Sequence, residues 1–438
     1  MSWSRRIRTV AATGALAVGL GLATGPADPA AMAAPSTFTI HGAGYGHGIG
    51  MSQYGAHGMA LRGASAGRII SFYYGGAQPR PATLPATIRV GLLQANHDPS
   101  AGGRLRRVLV RGVEVPGRGG SGRFSVSGVT PGGRVVRRSL SGHVTWSIKP
   151  ERGGTSVFDL SSRRVFGPTR AGTGVVVRYQ TALPPARLLL PQTGHQLRWG
   201  RLDIHLVRDD HGVTRPRAVA VLPFNRYLRG LAEVPGSFAN EALRAQAIAA
   251  RSYALVAVQT RGQRSGRGSW DGCDCALYAG VRDQRYAGYA EEQGYWGARW
   301  VAAVRGTDSL VVRYGSRVVQ AFYSSSSGGF TSGNAQWGSA PLPWFPSRSD
   351  DPYDRGGGAH PNRNFRWTTQ VSAATLGARL GVGTAISVRE TRMPSWGGRV
   401  SRITVVGVKD GRRRSVTVTG SQFRKVFALK STRFRITP

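Results

Sequence analysis

The amino-acid sequence predicts an α+β fold, and three patterns carry that prediction. Residues 239–260 place Leu243, Ala247, Ala250, Ala254 and Val258 at the three-to-four spacing of an amphipathic helix. From about residue 87 to 181, short β-type runs alternate with Gly, Pro and Arg turns, which marks an additional all-β region. Strand-like runs at 219–222, 310–314 and 318–323 surround the helix and complete a second, α+β region, where any chemistry is expected.

In chain order, residues 1–34 read as a secretory signal peptide. Arg5, Arg6 and Arg8 precede an apolar run over 10–22, and Ala31-Met32-Ala33 offers the small-x-small pattern for cleavage near Ala33-Ala34. That run is too short to span a bilayer, and no other approaches ~20 apolar residues. The mature chain is therefore expected to be exported and soluble, with no transmembrane anchor. The 438 residues leave room for two or three domains, each with its own core.

Next comes a glycine-rich segment. Gly42, Gly44, Gly46, Gly48 and Gly50 alternate with Ala43, Tyr45, His47, Ile49 and Met51. If extended, this run has one face without side chains, which lets another backbone or a flat ligand approach closely. Ser52 then reads as the N-cap of a short helix, and Ser65 as the N-cap of another over 66–74. Residues 77–85 look like a linker. Strand-like runs follow at 88–92, 108–115, 135–136, 144–148 and 175–179, closed by the Pro-rich stretch 183–191. The expected boundaries are 35–80 for the glycine-rich segment, 86–182 for the β-rich domain and 191–438 for the remainder.

The seven glutamates divide by position. A helix capped at Asn225 must stop before Pro235-Gly236, which puts Glu233 in its last turn. There the macrodipole is negative, an ionised carboxylate is disfavoured, and the raised pKa suits a general acid. A solvent-facing helix-end residue is the plain alternative. Glu241 falls in the first turn of the next helix, three residues before Arg244, and reads as structural. Glu114 and Glu151 lie among turns, Glu291 and Glu292 as a solvated pair, and Glu390 in a strand-like run.

Cys273 and Cys275 form a C-x-C pair in an exported chain, so a tight disulfide staple is the first expectation, ahead of free thiols or zinc. None of the nine histidines lies near enough in sequence to complete a zinc site, and no metal or cofactor is expected. The formal net charge of +38 is almost all arginine, since only Lys149, Lys409, Lys425 and Lys430 are lysines. Behind a signal peptide, nucleic acid is not the expected partner; anionic wall polymers are, with genomic base composition as the alternative cause. There is no G-x-G-x-x-G dinucleotide loop. Gly63-Ala64-Ser65-Ala66-Gly67 fits G-x-S-x-G, but a helical pattern precedes it where a strand is needed, so Ser65 is no nucleophile. Ser324–Ser327 lacks a neighbouring His and reads as ligand-facing hydroxyls or a turn.

Several motifs resemble one family. Tyr227-Leu228, Gly230, Glu233, Phe238, the run 241–247 and Ala249-Ala250-Arg251-Ser252-Tyr253 are similar to the signature of the stage II sporulation protein D / amidase-enhancer family. Phe322-Tyr323-Ser324, Ser327-Gly328-Gly329 and Thr331 resemble its "FY-x-S-x-S-G-G-x-T" segment, with Trp337 and the run 350–354 after it. Val418-Thr419-Gly420 through Thr432 resembles its ending. The family's "GHG-x-GMSQYGA" segment normally follows that ending, yet here it stands near the start as 46–56, with Phe72 to Gly76 behind it. The chain thus resembles a circular permutation, which predicts that 37–41 lies beside 433–437 and that His47 approaches Glu233. The family usually shows a Cys before a "Q-x-Y" motif, and some relatives are zinc-binding there.

The resemblance implies lytic transglycosylation of peptidoglycan. Protonated Glu233 donates to the glycosidic oxygen between MurNAc and GlcNAc, then accepts the proton of the MurNAc C6 hydroxyl, giving a 1,6-anhydro end without a second carboxylate. Arg251, Tyr323, Ser326, His47, Gln53 and Tyr54 are the expected substrate-binding residues, with Arg251 stabilising the ionised acid. The other activity in the family is a non-catalytic one: binding glycan and stimulating a separate cell-wall amidase. Val234-Pro235 replaces the family's Met-Pro and is compatible with both.

Overall fold

The structure, a computed structural model, describes residues 35–95, 103–113, 122–179, 187–209, 211–263 and 273–438. The expected signal peptide, Glu114 and the first part of the Pro-rich stretch lie outside these residues. The fold is α+β, and the chain divides into two compact units.

The larger unit covers 43–367 and 394–397. Two sheets feed one core. The seven-stranded sheet runs in the order Leu277–Tyr278, Thr87–Leu93, Thr214–Pro223, Arg201–Arg208, Val175–Arg178, Arg123–Val129 and Val135–Ser141. The six-stranded sheet contains Val108–Val113, Trp146–Glu151, Gly154–Phe158, Arg164–Phe166, Arg187–Leu190 and His195–Leu197. Val90, Val108, Ile148, Val177, Leu188 and Leu202 meet in that core, each fully buried. The boundary expected at 182–191 is therefore not a domain boundary. Thr214–Pro223 is buried along most of its length, and its hydrogen bonds are completed by Thr87–Leu93 on one side and Arg201–Arg208 on the other. A strand buried in this way cannot leave its sheet without exposing unpaired backbone. The expected linker 77–85 is likewise partly strand, since Gln78–Pro81 pairs with Leu310–Tyr314.

Six helices of this unit frame the site: α1 (Gln53–Leu61), α2 (Ala66–Tyr73), α3 (Phe224–Arg229), α4 (Asn240–Arg261), α5 (Tyr289–Gln293) and α6 (Gly297–Arg305). Ser52 and Ser65 cap α1 and α2 through their hydroxyls, as their positions predict. Glu241 is structural: it pairs with Arg244 at 3.2 Å and accepts the Ala66 amide of α2 at 2.8 Å. Helix α4 is buried along most of its length, and α1, α2 and α6 all pack on it. It is too polar to cross a membrane, and no helix among the described residues is long and apolar enough to do so.

The glycine-rich segment is not extended. Gly44, Gly46, Gly48 and Gly50 all have positive φ, between 70° and 108°, so the chain turns at every second residue. What comes close is the backbone of 322–328. A Cβ on Gly50 would stand 2.1 Å from the Phe322 carbonyl oxygen, and one on Gly44 2.7 Å from that of Ser326. Met51–Ser52 pairs in parallel with Tyr323–Ser324.

Cys273 and Cys275 are joined by a disulfide, buried beside Val219 and over Gly91. Asp274 between them points its carboxylate at Arg89, 2.5 Å away, and at His205, 2.8 Å away.

The smaller unit comprises residues 35–42, 368–393 and 398–438 of the described chain. Thr37–Gly42 pairs antiparallel with Phe434–Thr437, from Thr39 opposite Thr437 to Gly42 opposite Phe434, as the displaced glycine-rich segment predicts. A second sheet is formed by Thr384–Met393, Arg399–Lys409 and Arg412–Thr419, flanked by helices over Ala373–Leu380 and Gly420–Val426.

Two substitutions probe this packing. Gly50→Ala should lower unfolding free energy by roughly 2–3 kcal/mol or prevent folding, whereas Gly132→Ala, in open space at ordinary φ, should change it by under about 0.5 kcal/mol in chemical denaturation. Arg251 is fully buried in α4, with its guanidinium on the carbonyls of Leu310 (2.9 Å) and Val304 (3.0 Å). Arg251→Lys should cost roughly 2–3 kcal/mol, because one ammonium cannot span the same acceptors.

Candidate active site

Helix α3 ends earlier than Pro235 requires. Its C-cap is Gly230, so Glu233 lies in the loop beyond it rather than in a last helical turn. The macrodipole is thus not what acts on the carboxylate. The loop is held from two directions. Leu231 bridges Tyr286, and the Ala232 amide donates to the Arg285 carbonyl at 2.9 Å. Beyond the glutamate, Trp296 packs on Gly236, and Arg299 donates to the carbonyls of Gly236 (3.1 Å) and Phe238 (2.9 Å).

Within this frame one carboxylate oxygen is fixed and the other is not. Glu233 Oε1 accepts from the Arg285 amide at 2.6 Å and from the Tyr323 hydroxyl at 3.3 Å. Oε2 makes no hydrogen bond among the described residues. Burial is the largest influence on this group and raises its pKa above the ordinary carboxylate value. The hydrogen bonds from Arg285 and Tyr323 and the Arg285 charge oppose it without reversing it. The expected direction is right, and its cause is desolvation.

The Tyr323 hydroxyl is oriented by a relay that the sequence reading misses. Tyr227 donates to Gln284 Oε1 at 2.9 Å, and Gln284 Nε2 donates to the Tyr323 oxygen at 2.7 Å, leaving the Tyr323 proton for Glu233. Gln284 and Tyr227 are fully buried, and burial pushes the pKa of both tyrosines well up, so they stay protonated donors. The sequence signal for Gln284 is the motif Gln284-Arg285-Tyr286 after the cysteines, which has the Q-x-Y form.

The glycine-rich half of the chain reaches the same loop through α1. Tyr54 sets its ring 5.4 Å from that of Phe238, and His57 stacks on Phe238 at 4.3 Å while its Nδ1 accepts the Ala239 amide at 3.1 Å. Burial lowers the His57 pKa, which favours the neutral, accepting form. His47 rests against Trp337 (5.3 Å) and Phe322 (6.1 Å), the neighbour of Tyr323.

Three expected substrate-binding residues have other work. Arg251 is sealed against the end of α6 and the Leu310 strand; burial pulls its pKa down to about 10, so it stays cationic, but its donors serve carbonyls. Ser326 is fully buried, donating to Asp354 at 2.8 Å and accepting from Asn362 at 2.9 Å. Gln53 is buried against Gln246 of α4 at 3.4 Å. Ser324 and Ser327 are also turned inward, Ser324 accepting the Gly48 amide and Ser327 donating to Asp350. The sequence offered no sign of this, because serines facing a sugar and serines facing a buried aspartate look alike.

The large aromatic side chains that remain exposed among the described residues are Tyr45, Tyr295, Trp296 and Trp337. Trp296 stands on Gly236 in the Glu233 loop, and Trp337 stands on Phe322, 4.8 Å between ring centres. No group of His, Cys, Asp and Glu able to hold a metal occurs among the described residues.

A family model matches the chain over this site. Residues 214–314 match the family model described as stage II sporulation protein. That stretch contains the Thr214–Pro223 strand, the Glu233 loop, α4 and Gln284. The chain is 28% identical over 180 residues to stage II sporulation protein D of Bacillus subtilis (strain 168), covering 39% of this chain and 49% of that protein. It is 61% identical over 41 residues to the amidase enhancer of the same organism, covering 9% of this chain and 6% of that one. The chain thus spans about half, or far less, of the length of these relatives. Over residues 214–314, the stretch that holds Glu233, the chain matches the stage II sporulation protein family model, and it is similar in part to stage II sporulation protein D and to the amidase enhancer.

Proposed function

We propose that this is an exported, peptidoglycan-remodelling lytic transglycosylase in which Glu233 is the sole acid/base. The observation that carries the reading is the asymmetry of that carboxyl group. Oε1 is held by Arg285 and Tyr323, Oε2 is left for a ligand, and burial favours the protonated form. A protonated Oε2 donates to the glycosidic oxygen as positive charge develops at the sugar C1, and the leaving chain departs as an alcohol. The same oxygen, now ionised, takes the proton of the MurNAc C6 hydroxyl as that oxygen closes on C1. Arg285 and Tyr323 stabilise the carboxylate between the two transfers, the role that the family resemblance implies for Arg251. Tyr54 and His47 remain in the reading as sugar contacts, joined by the exposed rings of Trp296 and Trp337, which suit stacking on pyranose faces.

The reading includes circular permutation, with residues 46–56 taking the place of the family's C-terminal segment. The pairing of Thr37–Gly42 with Phe434–Thr437 supports it, as does the seating of α1 on the Glu233 loop. The enhancer reading draws on the 41-residue match to an amidase enhancer. There Glu233 binds glycan and a separate wall amidase does the cutting.

Purified glycan strands, with and without stem peptides, should yield anhydro-ended products by mass spectrometry with the mature chain. Glu233→Gln should lower that rate at least about 10²-fold. Binding without new ends from either protein would sink the transglycosylase and favour the enhancer. Tyr323→Phe removes a hydrogen bond to the ionised form, so the alkaline limb of its pH–rate profile should move to higher pH, with a rate loss of about tenfold. Stability follows the same sign. Folding favours protonated Glu233, so its contribution is full below the ordinary carboxyl range and is lost as pH rises through the raised pKa. Glu233→Gln should therefore melt above the wild type at pH 7 and lose that advantage below about pH 4; a pH-independent difference would contradict the assignment.

A further inference from the structure

The smaller unit carries 14 basic residues against two acidic ones, Glu390 and Asp410, in residues 35–42, 368–393 and 398–438. Its three-stranded sheet sorts them by face. Along Arg399–Lys409, the side that includes Ile403, Val405 and Gly407 is buried, while Arg402, Thr404, Val406 and Val408 belong to the outer side. The register extends that outer side to both neighbours: Thr404 stands opposite Arg389 and Thr417, Val406 opposite Ser415, and Val408 opposite Arg413.

This face contains no acid. Glu390 is paired with Ile403 on the buried side, where it accepts from Arg392 and from the Ile436 amide, and Asp410 sits in the hairpin turn. Arg389, Arg402 and Arg413 are exposed, and none makes a hydrogen bond or ion pair among the described residues. Between them lie hydroxyls: Thr404 and Thr417 share a hydrogen bond at 2.9 Å, and Ser415 and Thr417 are exposed. Projected on the central strand, the three guanidiniums fall at positions 402, 404 and 408, at intervals of about 7 and 14 Å.

From this arrangement we infer that the outer face of the sheet is a docking surface for a phosphodiester-linked polyol chain of the cell envelope. The pattern is charge complementary to a linear polyanion, and its cations are spaced by hydroxyl groups rather than packed together. That fits a polymer whose phosphates are separated by hydroxylated linkers. Guanidiniums bind phosphate oxygens through paired N–H groups, and Ser and Thr hydroxyls bind the linkers. Each contact releases counterions, so binding depends steeply on salt. The surface belongs to a different unit from Glu233, and docking there does not require that glycan be cleaved.

The test uses the full mature chain and synthetic poly(glycerol phosphate), with hyaluronate and double-stranded DNA as comparison polyanions. Arg389→Ser/Arg402→Ser/Arg413→Ser should weaken poly(glycerol phosphate) binding at least about tenfold near 0.15 M salt and flatten its salt slope by roughly 2–3. Arg134→Ser/Arg137→Ser/Arg138→Ser removes the same charge from exposed positions of the larger unit and should stay within about twofold of wild type. A matching Arg→Gln set keeps the side-chain length and serves if the serine set melts early. Equal losses in both triple variants would assign binding to bulk charge and overturn the inference. So would unchanged binding in the sheet variant, or hyaluronate or DNA bound as tightly and lost as fully on the same substitutions.

Discussion

Asp354 is the group on which the arrangement of the larger unit turns. It is fully buried, and burial raises its carboxyl pKa above the ordinary value; hydrogen bonds from two separate stretches of chain oppose that rise without reversing it. Ser52 donates to one oxygen, while the Ser326 hydroxyl and the amides of Gly328 and Gly329 donate to the other. Ser52 is also the cap of α1, and Ser326 to Gly329 follow closely on the Tyr323–Ser324 strand. One carboxylate therefore sets the position of α1, whose Tyr54 and His57 brace the Glu233 loop, together with that of Tyr323, whose hydroxyl meets Glu233. Asp350, also buried, repeats the device with Tyr73 and Ser327. A buried acid with this many donors tolerates little displacement, because each lost donor returns part of its desolvation cost.

Set beside Asp354, Glu233 is the less satisfied acid, and the proposed chemistry rests on that difference. In a chain of net charge +38, most buried acids are claimed by arginine or hydroxyl groups: Asp203 by Arg89 and Arg201, Asp209 by Arg215, Asp283 by Arg261 and Tyr253. Glu233 instead receives an amide and one tyrosine on a single oxygen. Its neighbourhood withholds full compensation, so the proton is held more tightly than in water. The cationic excess acts elsewhere, and in the smaller unit it collects on a sheet face from which acids are absent.

The helix α4, its apolar stripe, both serine caps, the cysteine staple and most β runs were legible in the sequence, because each follows from local periodicity or from one residue's preference for one backbone position. The raised pKa of Glu233 was legible too, although for the wrong physical reason: Gly230 ends α3 before the glutamate, and burial takes the place of the helix dipole. Arg251, Ser326 and Gln53 look like ligand-facing polar residues in one dimension. Whether a polar side chain faces a groove or a buried carbonyl is fixed by partners tens or hundreds of residues away.

Helices, turns, the excess of arginine and the short list of acids that included Glu233 could all be read from the chain alone, since these depend on nearest neighbours and on composition. Folding in three dimensions was needed to bring strands from both sides of residue 190 into one core, and to end the Tyr227–Gln284–Tyr323 relay on Glu233. Hydrogen bonds and burial are properties of contacts in space, and long-range pairing is free to join residues that no local pattern links.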